Sequence, residues 1–588
     1  MFALKEIIME NPRPRLRKLS IKNFRCIGST PVEIELDEIV VLVGPNNVGK
    51  SSILRAYEVA MEEASKTGQL TIHDFPNESI DPENLPEIII ETVIFDEGQP
   101  GNQWVMTDEE TEEKYVKEKW TWEAPGKPLR VGWDVKANDW HQSKRPWGAP
   151  NVAQAYRSEP HRVDAFSAPE TQSKEIIKLL QSALTERVKT LSEEELPDGE
   201  LTPYQKLLHN VMELQKLVVK DTEQEIEAVQ AEMKKMVSEV FPGYEVKFDA
   251  RPEDEVEKCI NLFKNDPELR MGHADGHQTS IEKQGSGARR TLLWSALRII
   301  SEQRRAKAGK GVERPHLLLL DEPELCLHPN AIREACKVLY DLPKSGNWQV
   351  MVTTHAPAFI DLSRDNTSIV RVERAGDGNI KGTTIFRPQR AKLDPDDKAR
   401  LKLLNVFDPH VAEFFFGGKT VLVEGDTEYT AFKHVIAKHS ETFKDTHIVR
   451  ARGKATLASL AKILNQFGAP YALLHDSDRP FCKPKEGKEP KANPAWGTNK
   501  NLLEVVEQAP DTAKIRLVAS VPNLEEAYFG QEVTSEKPYS ALQIISDENG
   551  QEFANLKQLL EALTDFTKPL PENAVEWSEI ADLENALK

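Results

Sequence analysis

Two stretches of this sequence carry functional side chains at spacings that could do chemistry. The first is Gly44-Pro45-Asn46-Asn47-Val48-Gly49-Lys50-Ser51, followed by Ser52, which fits GxxxxGK[ST]. In such a loop the backbone N–H groups, here from Gly44 through Asn46, Asn47 and Gly49 to Ser52, cradle phosphates at a helix N-terminus. Lys50 would neutralise the terminal phosphates and Ser51 would ligate Mg²⁺. Asp321 closes LLLLDEPE, where its carboxylate can hold the same ion through water, and Glu322 beside it is placed to orient an attacking water. The second stretch, TVLVEGDTEYTAF at 420–432, packs Glu424, Asp426 and Glu428 into five positions. Acids so close resist full ionisation unless a cation sits between them. YALLHDSDRP adds Asp476 and Asp478, whose carboxylates share a side if the segment is fully extended. An oxygen-only set of this kind selects Mg²⁺ or Mn²⁺ over zinc.

Each set needs strands and helices to assemble it. The loop at 44–51 follows VVLVG and opens a helical pattern, and HLLLL at 316–320 and WQVMVTTH at 348–355 read as buried strands. Two motifs 270 residues apart meet one nucleotide only if a sheet joins them, so the segment between them is expected to be an insertion. Glu424 and Asp476 each end a buried-type strand, and the C-terminal ends of parallel strands form the crevice where α/β proteins bind ligands. Residues 171–240 shift to helical spacing around an LPDGELTP turn, which predicts a helical hairpin. The loop 479–501 carries six Lys or Arg against two Glu.

The 588 residues suggest three or four domains, and 39% hydrophobic with 29% charged residues places the chain among soluble globular proteins. No apolar run approaches a bilayer span, and the N-terminus lacks a signal-peptide pattern. Five scattered cysteines without a CxxC pair point to the cytoplasm and away from a structural zinc site. A net charge of −19 counts against a broad non-specific DNA coat, but not against a local basic groove.

With IKNFR as an opening strand, GSGARR (285–290), ELCLHP (324–329) and His355 after MVTT, the first set resembles ABC-type ATPases of the RecF and SMC kind. The resemblance implies that Ser286 and Gly287 touch the γ-phosphate of a nucleotide bound to another protomer, and that His355 is the switch histidine. The second set, E-G-x-x-E with D-x-D, resembles the Toprim domain. Their order in one chain resembles the OLD (overcoming lysogenisation defect) family of ATP-linked endonucleases. The resemblance implies Glu424, Glu428, Asp476 and Asp478 as metal ligands, a distal acid at Glu525 or Glu526, and Lys537 as a basic residue near the scissile phosphate.

The expected architecture is α/β and multidomain: an ABC-type P-loop ATPase interrupted by a helical insertion and followed by Toprim. Its parts would be 1–95 and 271–395 for the ATPase, 96–270 for the insertion and possible dimerisation region, 415–545 for Toprim, and 546–588 for a C-terminal helical tail. The implied function is ATP-linked, metal-dependent DNA cleavage in defence against phage or foreign DNA. The implied partners are DNA, a second copy in a homodimer or larger even assembly, and a neighbouring helicase or retron component, with no membrane. The rival readings are an SMC- or RecF-like ATP-driven DNA sensor without nuclease activity and a primase-like polymerase.

Overall fold

Alternating apolar residues at the N-terminus build two sheets at once. In the computed structural model, β1 (Arg15–Lys22) and β2 (Val32–Glu35) pair antiparallel, while β3 (Ile39–Val43), buried at every position, enters a different sheet. β4 (Glu87–Val93), β5 (Val105–Thr107), β6 (Lys114–Thr121), β7 (Leu129–Asp134) and β8 (Asp139–Trp140) complete a seven-stranded sheet with β1 and β2. β9 (Glu159–Val163) joins the sheet of β3. The strands between Val105 and Val163, expected within the insertion, therefore belong to the two sheets. The alternation in KYVKEKWT buries Val116, Glu118 and Trp120, and Arg130 and Arg157 pair with the buried Glu118.

The structure describes residues 15–164, 269–588 and some positions between 170 and 214, apart from short gaps, the longest at 306–314, 483–489 and 531–535. The expected hairpin at 171–240 lies largely outside the described residues, as does the lysine-rich part of the 479–501 loop. The chain divides into two compact units, Met1–Ser167 with Ser301–Lys588, and Ala168–Ile300. In the latter, β10 (Arg270–Gly272) and β11 (Gln278–Ser280) form a hairpin, and Gln284 clamps it through Met271 O and Thr279 Oγ1. Ser286 opens the helix that runs to Arg305.

In the larger unit, β12 (His316–Asp321), β13 (Trp348–Thr353) and β14 (Thr367–Arg374) lie parallel with β3 and β9, and β15 (Ile380–Phe386) closes the edge antiparallel. The order β15-β14-β3-β13-β12-β9 places β13 between the strands ending in the phosphate loop and in Asp321. A third sheet follows, of β16 (Lys419–Val423), β17 (Thr446–Arg450), β18 (Tyr471–Asp476), β19 (Ile515–Ser520) and β20 (Ala574–Glu576). Its first four strands are parallel. Residues 546–588, expected as a helical tail, supply β20, which pairs antiparallel with β19. They also supply the helix Gln551–Thr564, whose Phe553, Leu556, Leu559, Leu560 and Leu563 lie in the same core as Val421 and Leu474. Among the described residues no helix is long and apolar enough to cross a membrane.

Candidate functional site

Two sites form at the C-terminal ends of parallel strands. At the first, β3 ends at Val43 and the chain turns through Gly44, with φ 140°, where a Cβ would meet Val372 O at 2.0 Å. Asn46 and Asn47 crown the loop in solvent, Asn47 at φ 61°. Gly49, at φ 90°, caps the helix Lys50–Met61. Lys50 is nearly buried; its Nζ donates to Gly44 O (3.0 Å) and Pro45 O (2.8 Å) and meets His355 Nε2 at 3.0 Å. Because an ammonium only donates, His355 must accept at Nε2 and is neutral there. Burial, then Lys50, pushes the His355 pKa down, consistent with that form.

Ser51 Oγ donates to Asp321 Oδ1 at 2.9 Å, and Thr353 Oγ1 donates to the same oxygen at 2.6 Å. The hydroxyl and carboxylate expected to share a Mg²⁺ are thus brought together across 270 residues. Glu322 takes φ 44°, rare for a non-glycine residue, and its N–H is held by Thr353 O (3.1 Å) and Thr353 Oγ1 (3.0 Å). Its Oε1 stands 3.5 Å from His355 Nε2. Ser52 faces inward, with its Oγ 3.6 Å from Cys26 Sγ, so only its backbone is left for a phosphate. Glu324 opens the ELCLHP stretch, but nothing in the local pattern connects it to His355. Its Oε1 accepts from His355 N (2.7 Å) and Thr354 Oγ1 (2.9 Å), fixing the loop that carries the histidine. Ser286 and Gly287 lie in the smaller unit, at the first turn of their helix.

The second site grows from β16 and β18. Glu424 follows β16, and Glu428 lies one turn into the helix Asp426–Lys438, its Oε2 accepting from Gly425 N at 3.1 Å. Asp476 ends β18; its N–H donates to Glu424 Oε2 (3.2 Å), and its Oδ1 accepts from Leu524 N (2.9 Å) at the start of the next helix. Glu525 on that helix is buried and pairs with Lys537 Nζ at 2.9 Å. Burial drives all three remaining acids upward. The Glu428 carboxyl is pushed up to about 7 by burial, with Glu424 and Glu525 adding to the effect. Asp476 is raised by burial and then by Glu428, Glu424 and Glu525, and Glu424 is raised by burial against the pull of Lys454. Four carboxylates close enough to act on one another's charge form a set that a divalent cation would relieve.

Other expected members stand apart from this group. Asp478 does not share a side with Asp476: the strand stops at Asp476, and Asp478 turns to φ 59°. Its carboxylate pairs with the buried Lys454, while its charge still reaches Glu424. Glu526 turns to Asn523 Nδ2 (2.9 Å) and Arg479 Nη2 (3.3 Å), because its position three residues after Asn523 suits a cap. Of the two candidates for the distal acid, Glu525 joins the cluster. Asp426 faces Arg450 at 2.9 Å instead. Lys454 was not anticipated, since Arg-Gly-Lys before a helix says nothing of an acid 24 residues later. Beneath the cluster, Trp577 Nε1 donates to the buried His475 Nε2 at 3.0 Å, and His475 Nδ1 lies 2.7 Å from Asp476 O. The C-terminal segment thus braces the strand that delivers Asp476.

Comparison with known proteins agrees with an ATPase domain followed by a TOPRIM domain. The family described as AAA ATPase domain matches residues 15–121 and 110–360, more than half of the chain. The TOPRIM domain described as overcoming lysogenization defect protein-like matches residues 415–478. An OLD nuclease of Thermus scotoductus is 23% identical over 95% of this chain and 100% of its own length. The Old nuclease of Escherichia phage P2 is 25% identical over 79% and 77%. Among solved structures, an SMC head bound to the C-winged helix domain of ScpA covers 64% of this chain and 99% of its own at 15% identity, with a TM-score of 0.34. The chain belongs to the AAA ATPase-domain family, and an OLD-like TOPRIM domain follows its ATPase.

Proposed function

We propose that this chain is an ATP-hydrolysing, divalent-metal-dependent DNA endonuclease that acts against phage or other foreign DNA. The observation that carries the reading is that Glu424, Glu428, Asp476 and Glu525 act on one another's charge in one cluster, with Glu428 and Glu525 buried and Glu424 and Asp476 half-buried. Acids in such a place are poorly explained by stability, because each costs desolvation free energy without a cation. They fit Mg²⁺ or Mn²⁺, held by Glu424, Glu428 and Asp476, with Asp478 able to join from beside Lys454. When bound, such an ion supplies a nucleophilic water at neutral pH and charge to stabilise the leaving oxygen. Lys537, half exposed at the rim, is placed to meet a phosphate, and Glu525 orients its ammonium.

At the ATP site, Lys50 neutralises phosphate charge, Ser51 and Asp321 hold the metal of the nucleotide, Glu322 orients water, and His355 senses the γ-phosphate. Ser286 and Gly287 complete the site of a second copy, which makes a homodimer or larger even assembly the working form. The relatives named as nucleases and the DNA-facing chemistry of the acid cluster support this reading over a sensor without nuclease activity. Incubating the purified full chain with supercoiled, linear and single-stranded DNA, with Mg²⁺ or Mn²⁺ and with or without ATP, tests it. Cleavage that needs the divalent ion supports the reading. Intact DNA under every condition, with ATP turnover normal, would favour the sensor.

A further inference from the structure

At the opposite end of the ATPase sheet from the phosphate loop, three residues with metal-binding side chains converge. Glu159 and His161 lie two apart on β9, so they project from one face of the strand. β12 runs parallel in the register His316↔Glu159, which sets His316 on that same face. Trp348 opens β13 opposite His316 and packs on both imidazoles, at 4.8 Å and 25° from the His316 ring and 5.1 Å from the His161 ring. Both histidines are buried, and the Glu159 side chain is 29% exposed.

His161 Nε2 and His316 Nδ1 stand 3.0 Å apart, and Glu159 Oε2 is 3.8 Å from His316 Nδ1. One ligand atom from each residue falls within 4.8 Å of the others. Two nitrogens each about 2.0–2.1 Å from one ion are separated by about 3.0–3.4 Å across a ligand edge. The imidazole pair therefore already has the spacing of adjacent ligands, and a small rotation of the solvent-facing Glu159 completes a three-point set. We propose that Glu159, His161 and His316 bind a divalent transition-metal ion of the zinc class. Two imidazoles and one carboxylate favour such an ion over Mg²⁺, in contrast to the all-oxygen cluster of the TOPRIM domain.

The site is separate from the ATP centre. His316 and Asp321 sit at opposite ends of β12, about 17 Å apart along the strand. The ion would be a clip. It joins an edge strand to its neighbour across 155 residues of sequence, and closing so long a loop is where a crosslink has most leverage on the unfolded chain. Trp348 would serve as the packing shell that holds the ring orientations.

The test uses the full chain, stripped with a chelator, dialysed, and titrated with Co²⁺ in excess Mg²⁺ so that the oxygen sites are occupied. The expected result is one Co²⁺ per chain with visible d–d absorption, displaced by Zn²⁺, and a raised unfolding midpoint with Zn²⁺ bound. His161→Ala and His316→Gln should each weaken Co²⁺ binding at least about tenfold, while Asp476→Asn should leave it unchanged. Glu159→Gln, at a half-exposed position that leaves the histidine packing intact, should also weaken it and keeps the test valid if a histidine variant fails to fold. Absence of d–d absorption in the wild-type chain, or equal affinity in Glu159→Gln, would overturn the site.

Discussion

The ATP site and the TOPRIM cluster both sit at the C-terminal ends of parallel strands, yet they manage charge in opposite ways. At the ATP site the charges answer one another. Lys50 lies among Asp321, Glu322 and Glu324, and Asp321 takes hydrogen bonds from Ser51 and Thr353. Burial lowers the Lys50 pKa, and those three acids pull it back up. In the TOPRIM cluster, Glu424, Glu428, Asp476 and Glu525 crowd together, with Lys454 turned to Asp478 and Lys537 at the rim. The first site is preorganised for a polyanion that brings its own metal. The second holds negative charge that a divalent cation would balance, and burial first, then neighbouring acids, raises the pKa values of Glu424, Glu428 and Asp476.

The largest expected effect is on cleavage. Asp476→Asn keeps the shape of the side chain but removes the charge at the centre of the cluster. It should lower plasmid cleavage about a thousandfold, equivalent to roughly 4 kcal/mol of barrier; wild-type rates in this variant would remove Asp476 from the metal site. At the other site, Glu322→Gln should slow ATP hydrolysis about a hundredfold while nucleotide binding persists, as expected for loss of a water-orienting carboxylate. Lys50→Ala should instead weaken nucleotide binding about ten- to a hundredfold, measured by equilibrium titration with a fluorescent ATP analogue. If the two variants behaved alike, the separate roles of lysine and glutamate would not stand.

A smaller effect should appear in stability. The Glu428 carboxyl is raised by burial from its ordinary range to about 7. The stability linked to this group is present below about 4.5 and is lost as pH rises through about 7, because the buried site must then hold an anion. Without divalent ions, the wild-type chain should therefore unfold more easily at pH 8 than at pH 5. Glu428→Gln should flatten that decline by about 1–3 kcal/mol, read from denaturant midpoints at the two pH values. An unchanged slope would mean that the buried charge is already balanced. Smallest of all, Trp577→Phe removes the hydrogen bond to His475 and should cost about 1 kcal/mol, with a modest loss of cleavage through the strand that carries Asp476.

The sequence made the phosphate loop legible because its chemistry is local: Gly44, Gly49, Lys50 and Ser51 act within one turn. Asp321 and the two TOPRIM strands were legible for a similar reason, as buried runs ending in acids. What escaped reading depends on distant pairing. β9 looks irregular in sequence but lies beside β12, which arrives more than 150 residues later. β20 and Trp577 complete the TOPRIM sheet from what reads as a tail. Lys454 and Glu324 act on groups that local pattern does not connect to them. Asp478 was misplaced because alternation assumes an extended chain, whereas its φ of 59° turns the carboxylate toward Lys454. The choice between Glu525 and Glu526 depended on Asn523, whose capping draws Glu526 away.

The central claim is that one chain carries two chemically separate sites. Glu424→Gln tests it most directly when plasmid cleavage with Mn²⁺ and ATP turnover are measured on the same preparation. Glu424 accepts from the Asp476 N–H and lies outside the ATP site. The account predicts that cleavage is lost while ATP turnover stays within about twofold of wild type, as expected for sites without shared partners. Full cleavage by this variant, or ATP turnover lost in step with cleavage, would contradict it.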